Sequence, residues 1–197
     1  MGIFGQKDLP PAIQTDSTAQ ENLPHLTELA IECLSNGDKG FFLMVENEDI
    51  DESFHRRNIP QALYATRDLD LAVATAIKVL KKKGQLQETL LLVTADHDTG
   101  GLALNAPLFP HTSLWNSQHV IHQTTGLFRN RNQNLAKLSN DRINYKGPAL
   151  PKAPHTATDV DLYAKGPGSE KVRGVLENTD IYQIMHQAMG LDGETVR

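Results

Sequence analysis

Two short stretches combine carboxylates and imidazoles at spacings that suit metal binding. In the first, Glu46 is followed by Asp51 and His55. Asp51 and His55 are four residues apart, so a single helical turn places them on one side. A carboxylate oxygen and an imidazole nitrogen are ordinary zinc ligands. Taken alone, the stretch reads more simply as a polar loop after a strand. The second stretch is Thr94-Ala95-Asp96-His97-Asp98-Thr99-Gly100-Gly101. An adjacent Asp-His pair can grip one ion where the backbone turns sharply, and two glycines let chain pack closely against chain. Its plainer reading is a strand-end turn stabilised by Asp. A third candidate, His155 before Thr156 and Val160, counts for little by itself.

The elements that would carry these residues follow from hydrophobic periodicity. Leu26, Leu29, Ala30, Cys33 and Leu34 recur at helical spacing, with Pro24 in the first turn and Asn36-Gly37 as a stop. Phe41 to Val45 is a short continuous apolar run led in by Gly40, the pattern of a strand buried on both faces. Residues 68–83 read as a second helix. Asp68 and Asp70 face the positive end of its dipole, Lys81 to Lys83 the negative end, and Gly84 closes it. Thr89 to Thr94 reads as a second buried strand. Val160, Leu162 and Tyr163 alternate as in a third, ended by Gly166-Pro167-Gly168, and a last helix runs from about Asp180 to Met189.

This order predicts an α/β layered fold with a largely parallel sheet, in a single portion spanning residues 1–197. An irregular excursion occupies about residues 105–150. Both acid/imidazole clusters would then follow a buried strand directly, and the carboxyl ends of strands are where open α/β sheets bind ligands.

Composition narrows the classes. Hydrophobic residues make up 39% and charged residues 22%, ordinary values for a globular domain. The net charge of -5 offers no basic footprint for nucleic acid. No apolar run approaches the length needed to span a bilayer, so no membrane partner is expected. The N-terminus lacks the basic and apolar regions of a signal peptide. Cys33 is the single cysteine, so an internal disulfide is impossible, and the helical pattern around it predicts a small buried hydrophobe.

The three constellations together resemble the alkaline phosphatase family. Lys39-Gly40-Phe41-Phe42-Leu43-Met44-Val45-Glu46 with Ile50-Asp51 and His55 looks like its first metal segment, and Thr94 to Gly101 like its second. His155-Thr156 with Tyr163 to Gly168 looks like its third, and the order is the family's. The resemblance extends to Asn178-Thr179-Asp180 before the last helix and implies part of a three-layer αβα sandwich. It further implies that Asp51, His55 and His155 hold a first zinc ion, that Asp96 and His97 supply part of a second zinc site, and that Glu46 is a ligand of a magnesium ion. The activity implied is phosphate monoester hydrolysis through a phosphoserine. Members acting on diesters or sulfate esters fit the ordered motifs less well.

The departures are equally specific. Asn47 stands where the family usually has Gly, and Asn tolerates left-handed backbone better than most residues. The nucleophilic serine, a further zinc aspartate, further magnesium ligands and the phosphate-binding arginine belong to an N-terminal half and find no counterpart here. Asp16-Ser17-Thr18-Ala19 superficially resembles the nucleophile turn, but it precedes the first motif and follows no buried strand. Arg56 and Arg57 read as a solvated helix face. The expectation is therefore a C-terminal half that supplies metal ligands and no catalytic nucleophile. Its partner would be a complementing N-terminal half or a second copy in a homodimer. The alternative is a non-catalytic, vestigial metal-binding fragment. Family members are usually periplasmic or secreted.

Overall fold

A computed structural model describes residues 9–11, 22–102 and 152–191. The elements are α1 (Leu23–Leu34), α2 (Asp49–His55), α3 (Ile59–Lys82), β1 (Leu91–Val93), β2 (Asp98–Thr99), β3 (His155–Thr156), β4 (Tyr163–Lys165) and α4 (Asn178–Ala188), with short 3-10 turns at Leu86–Glu88 and Ser169–Lys171. They fall into two compact units. One gathers Val45–Asp70 and His97–Thr158 with the N-terminal residues to Leu23, and the other Pro24–Met44, Leu71–Asp96 and the residues from Asp159. No helix among the described residues is long and apolar enough to cross a membrane.

In the first unit, α2 begins with Asp49, Asp51 and Glu52, whose charges suit the helix N-terminus. Ser53 is fully buried and donates to Asp49 Oδ1 at 3.2 Å. The helix ends in a Schellman turn, with Asn58 N–H on the Ser53 carbonyl (2.8 Å) and Arg57 N–H on that of Phe54 (3.0 Å). The left-handed position of this turn is taken by Arg57 (φ 57°), where the matching turns after α3 and α4 use Gly84 and Gly190. A side chain there costs about 1–2 kcal/mol. The first half of α3 buries Ile59, Ala62, Tyr64 and Ala65, and Asn47 Nδ2 donates to the Ala65 carbonyl at 2.9 Å. β2 and β3 pair antiparallel, Asp98 opposite Thr156 and Thr99 opposite His155.

In the second unit the core is made by Ile31 of α1 with Ala76, Val79 and Leu80 of α3, flanked by Phe41, Leu43 and Leu86. The α3 residues recur at helical spacing, so one face meets α1. β1 pairs antiparallel with β4, Leu92 opposite Ala164. Gly166 (φ 101°) follows β4 so closely beneath β1 that a Cβ on it would lie 1.9 Å from the Thr89 carbonyl oxygen. Only glycine fits there. At the start of α4, Asp180 Oδ2 accepts from the Glu177 backbone N–H at 3.0 Å.

Several expectations change. The chain is α/β, but the two ladders among the described residues are both antiparallel and two-stranded, not members of a parallel sheet. Phe41 to Val45 is extended without ladder partners, and it alternates instead of being buried on both faces. Phe41 and Leu43 face the core while Phe42 is 57% and Met44 74% exposed. An apolar run reads as doubly buried only if something covers its second face. The second helix starts at Ile59, not near residue 68, which puts Asp68 and Asp70 inside it and away from the N-terminal dipole. Asp68 instead accepts from the Leu23 backbone N–H, and burial holds its carboxyl above the ordinary range. Cys33 is exposed. The buried positions of α1 are Thr27 and Ile31, and Cys33, two residues beyond Ile31, points away from them. The third strand covers Tyr163–Lys165, and Val160 and Leu162 precede it. The Asp16-Ser17 stretch and the excursion at 105–150 lie outside the described residues.

Candidate metal centre

The centre is built within the first unit. α2 brings Asp51 and His55 to one side across a single turn, as their spacing predicts. β3 delivers His155 beside them, because its partner β2 carries Thr99 directly opposite. Four contacts lock this arrangement. Ala153, fully buried, donates its backbone N–H to the His55 carbonyl at 2.9 Å. The Ala153 carbonyl in turn lies 2.5 Å from His55 Nδ1. Gly100 N–H donates to the Pro154 carbonyl at 2.9 Å, and Thr156 Oγ1 donates to Asp98 Oδ2 alongside.

The ligand atoms of Asp51, His55 and His155 all lie within 4.8 Å of one another, the one such group among the described residues. His55 Nε2 is 3.1 Å from Asp51 Oδ2 and 3.1 Å from His155 Nε2, and His155 Nε2 is 3.6 Å from Asp51 Oδ1. Four ligands at about 2.0–2.1 Å from a tetrahedral zinc ion stand roughly 3.3 Å from each other. The observed separations bracket that edge. The tautomer also fits. A carbonyl only accepts, so His55 Nδ1 carries its proton towards Ala153, and the lone pair of Nε2 points at the centre. One carboxylate and two imidazoles form a donor set suited to zinc.

His97 lies against this group. Its ring stacks on that of His155 with centroids 3.6 Å apart and planes inclined by 22°, and its Nδ1 is 4.0 Å from Asp51 Oδ1. Glu46 is exposed at the end of the extended Phe41–Val45 segment. Asp96 is exposed in the bend after β1 and belongs to the second unit. Neither carboxylate is a member of the Asp51, His55, His155 group. Arg56 pairs with Glu52 one turn back, on the exposed side of α2.

Two residues at the centre escape sequence reasoning. Ala153 carries no functional group and acts through its backbone. Thr99 is 7% exposed, donates its hydroxyl to Asp51 Oδ1 and lies 3.2 Å from His97 Nδ1. Its one sequence signal is that it stands two residues after His97, on the same side of an extended chain.

Known proteins resemble this chain over nearly its whole length. The family described as alkaline phosphatase matches residues 1–191. Alkaline phosphatase 4 of Bacillus subtilis (strain 168) is 28% identical over 227 residues, which cover 96% of this chain and 48% of that protein. Alkaline phosphatase of Escherichia coli (strain K12) is 32% identical over 186 residues, 92% of this chain and 36% of that protein. The crystal structure of a cold-active alkaline phosphatase from the psychrophile Shewanella sp. superposes with a TM-score of 0.64. It is 24% identical and covers 93% of this chain and 52% of its own, a likeness of fold. The chain thus spans about half or less of the length of these relatives, and from residue 1 to residue 191 it belongs to the alkaline phosphatase family.

Proposed function

We propose that this chain supplies the metal ligands of a phosphomonoesterase of the alkaline phosphatase type. Asp51, His55 and His155 would hold a first zinc ion, Asp96 and His97 would contribute to a second, and Glu46 would serve a magnesium ion. The observation that carries the reading is the grouping of the Asp51 carboxylate, His55 Nε2 and His155 Nε2 at separations of 3.1, 3.1 and 3.6 Å, with the His55 Nδ1 directed at the Ala153 carbonyl. A pair of such ions supplies electrostatic stabilisation of the attacking and leaving oxygens of an in-line phosphoryl transfer. The chain's own part is to hold three ligands rigidly through Ala153, Thr99 and the β2–β3 pairing.

The nucleophile, and hence the phosphoserine of the complete reaction, would come from a complementing N-terminal polypeptide. The extended Phe41–Val45 segment supports such a partner, because it leaves Phe42 and Met44 uncovered among the described residues, where an added strand would bury them. The complete enzyme would complete the three-layer αβα sandwich, and export to the periplasm or beyond, a homodimeric state and a phosphate monoester substrate belong to the same proposal. The same exposed segment favours a second reading, in which the chain alone binds metal without catalysis.

Hydrolysis of p-nitrophenyl phosphate with added zinc and magnesium tests this, measured for the chain alone and for the chain mixed with the N-terminal half of a relative. The chain alone is expected to bind zinc with little turnover, and the mixture to gain activity. A folded chain that takes up no zinc sinks the reading. Zinc uptake with no turnover in either arm leaves the binding reading.

A further inference from the structure

The hydroxyl of Thr99 is a single group between two ligands that the proposed function assigns to different ions. It donates to Asp51 Oδ1 and stands 3.2 Å from His97 Nδ1. A hydroxyl has one proton to give. As a carboxylate Asp51 only accepts, so the Thr99 proton goes to Asp51, and towards His97 the same oxygen can only accept. His97 must then carry its proton on Nδ1, which makes Nε2 the ring nitrogen with the lone pair. The 4.0 Å between His97 Nδ1 and Asp51 Oδ1 keeps those two from meeting directly, so the hydroxyl is the link. The site is well made for this. Thr99 is 7% exposed, its backbone is fixed opposite His155 in the β2–β3 ladder, and the short α2 sets Asp51. A β-branched side chain has few χ1 options, which holds the hydroxyl in place.

The geometry points to Thr99 as a positioning residue that sets the Asp51 carboxylate and the His97 tautomer with one hydroxyl, and so couples the first zinc position to the second. Asp51 Oδ1 accepts from Thr99 and lies 3.6 Å from His155 Nε2, while Oδ2 lies 3.1 Å from His55 Nε2, so the hydroxyl sets the orientation of the whole carboxylate. His55 reaches the equivalent tautomer by other means, through the Ala153 carbonyl. The backbone thus orients one imidazole and a side chain the other, and only the second can be changed by substitution.

The inference rests on the zinc assignment proposed above, and the test separates the two. In the zinc-free, 15N-labelled full chain, long-range 1H–15N correlation of the imidazoles reports which nitrogen of His97 is protonated. Nδ1–H is expected in the wild type and in Thr99→Ser, and its loss in Thr99→Val, which keeps the shape but removes the oxygen. Zinc affinity by competition with a chelating dye is expected to fall about 10–100-fold in Thr99→Val. Thr99→Ser should stay close to wild type, a rescue that a merely packing role would not produce. A wild-type His97 protonated on Nε2 overturns the proposal, even if Thr99→Val fails to fold. So does a Thr99→Val chain that keeps the Nδ1 proton, or a Thr99→Ser chain weakened as much as Thr99→Val. A wild-type chain that binds no zinc overturns the metal assignment, while the zinc-free spectra still decide the role of Thr99.

Discussion

Ile31, Ala76, Val79 and Leu80 in the second unit touch one another through methyl groups, and Phe41, Leu43 and Leu86 close around them. Around Asp51 in the first unit the contacts are of another kind. Thr99 and Ala153 hydrogen-bond to Asp51 and His55, Thr156 and Gly100 tie β2 to the β3 segment, and the ladder joining the two strands is only two residues long. Apolar packing is non-directional and tolerates small shifts, whereas hydrogen bonds fix angles and tautomers. The difference suits their tasks. Three ligand atoms must be held to a few tenths of an ångström, which dispersion alone cannot do. It also means that the centre crowds two imidazoles and a carboxylate, so an ion bound there should contribute directly to local stability.

The largest effect is therefore expected from His155→Ala. Removing one of three ligands should weaken zinc binding by at least about 100-fold, read by chelator competition. Wild-type thermal stability should rise with added zinc, and that rise should vanish in the variant. Zinc-free stability should change little, because His155 is exposed and contributes no core contact. A zinc-free His155→Ala chain destabilised as strongly as the zinc-loaded one would mean that the ring stack on His97, and not the ion, holds this region together.

Gly166→Ala probes the opposite side of the comparison. The added methyl would stand 1.9 Å from the Thr89 carbonyl oxygen at a φ of 101°. Overpacking and strain together should cost about 3 kcal/mol, read from urea denaturation midpoints. The β1–β4 ladder would take the damage. Zinc affinity should remain near wild type, since Asp51, His55 and His155 all lie in the other unit. An equal loss of zinc binding would show that the two units do not respond separately.

What was legible in the sequence follows the same division. The helices are encoded by near neighbours. Gly84 closes α3 because a left-handed residue is needed one position past its cap, and the spacing of Asp51 and His55 is a local fact of one turn. The grouping of Asp51, His55 and His155 was legible as three ordered motifs, although no single motif sufficed. Strand pairing was not, because a ladder such as Leu92 with Ala164 joins residues far apart in sequence. The apolar run Phe41 to Val45 looks the same whether or not its second face is covered. The face of α1 was misread because Leu29 and Leu34 match a helical stripe as well as Thr27 and Ile31 do, and only the position of α3 decides between them. Thr99 and Ala153 were hidden for the same reason. Their partners lie 48 and 98 residues away.

Asp68 gives the smallest effect and the sharpest question about where the two kinds of stabilisation meet. It lies in the first unit on α3, half-buried, and burial is the leading cause that holds its carboxyl above the ordinary value of 3.8. The nearby Asp49 charge pushes the same way, while the Leu23 N–H and Arg67 pull it down. A carboxyl whose folded pKa is raised binds more protons folded than unfolded in the window above 3.8. Its contribution to stability is then fully present below 3.8 and is lost as pH rises through the folded value. Asp68→Asn keeps an acceptor for Leu23 and removes the charge. It should match the wild type most closely below 3.8 and gain on it as pH rises to neutral, by a small margin because the group is half open to solvent. Urea midpoints of both proteins across that range measure the gap. A gap of the opposite sign, with the wild type gaining as pH rises, would mean that the charged hydrogen bond to Leu23 outweighs desolvation. Asp68 would then belong with Thr99 and Ala153 as a polar fastening.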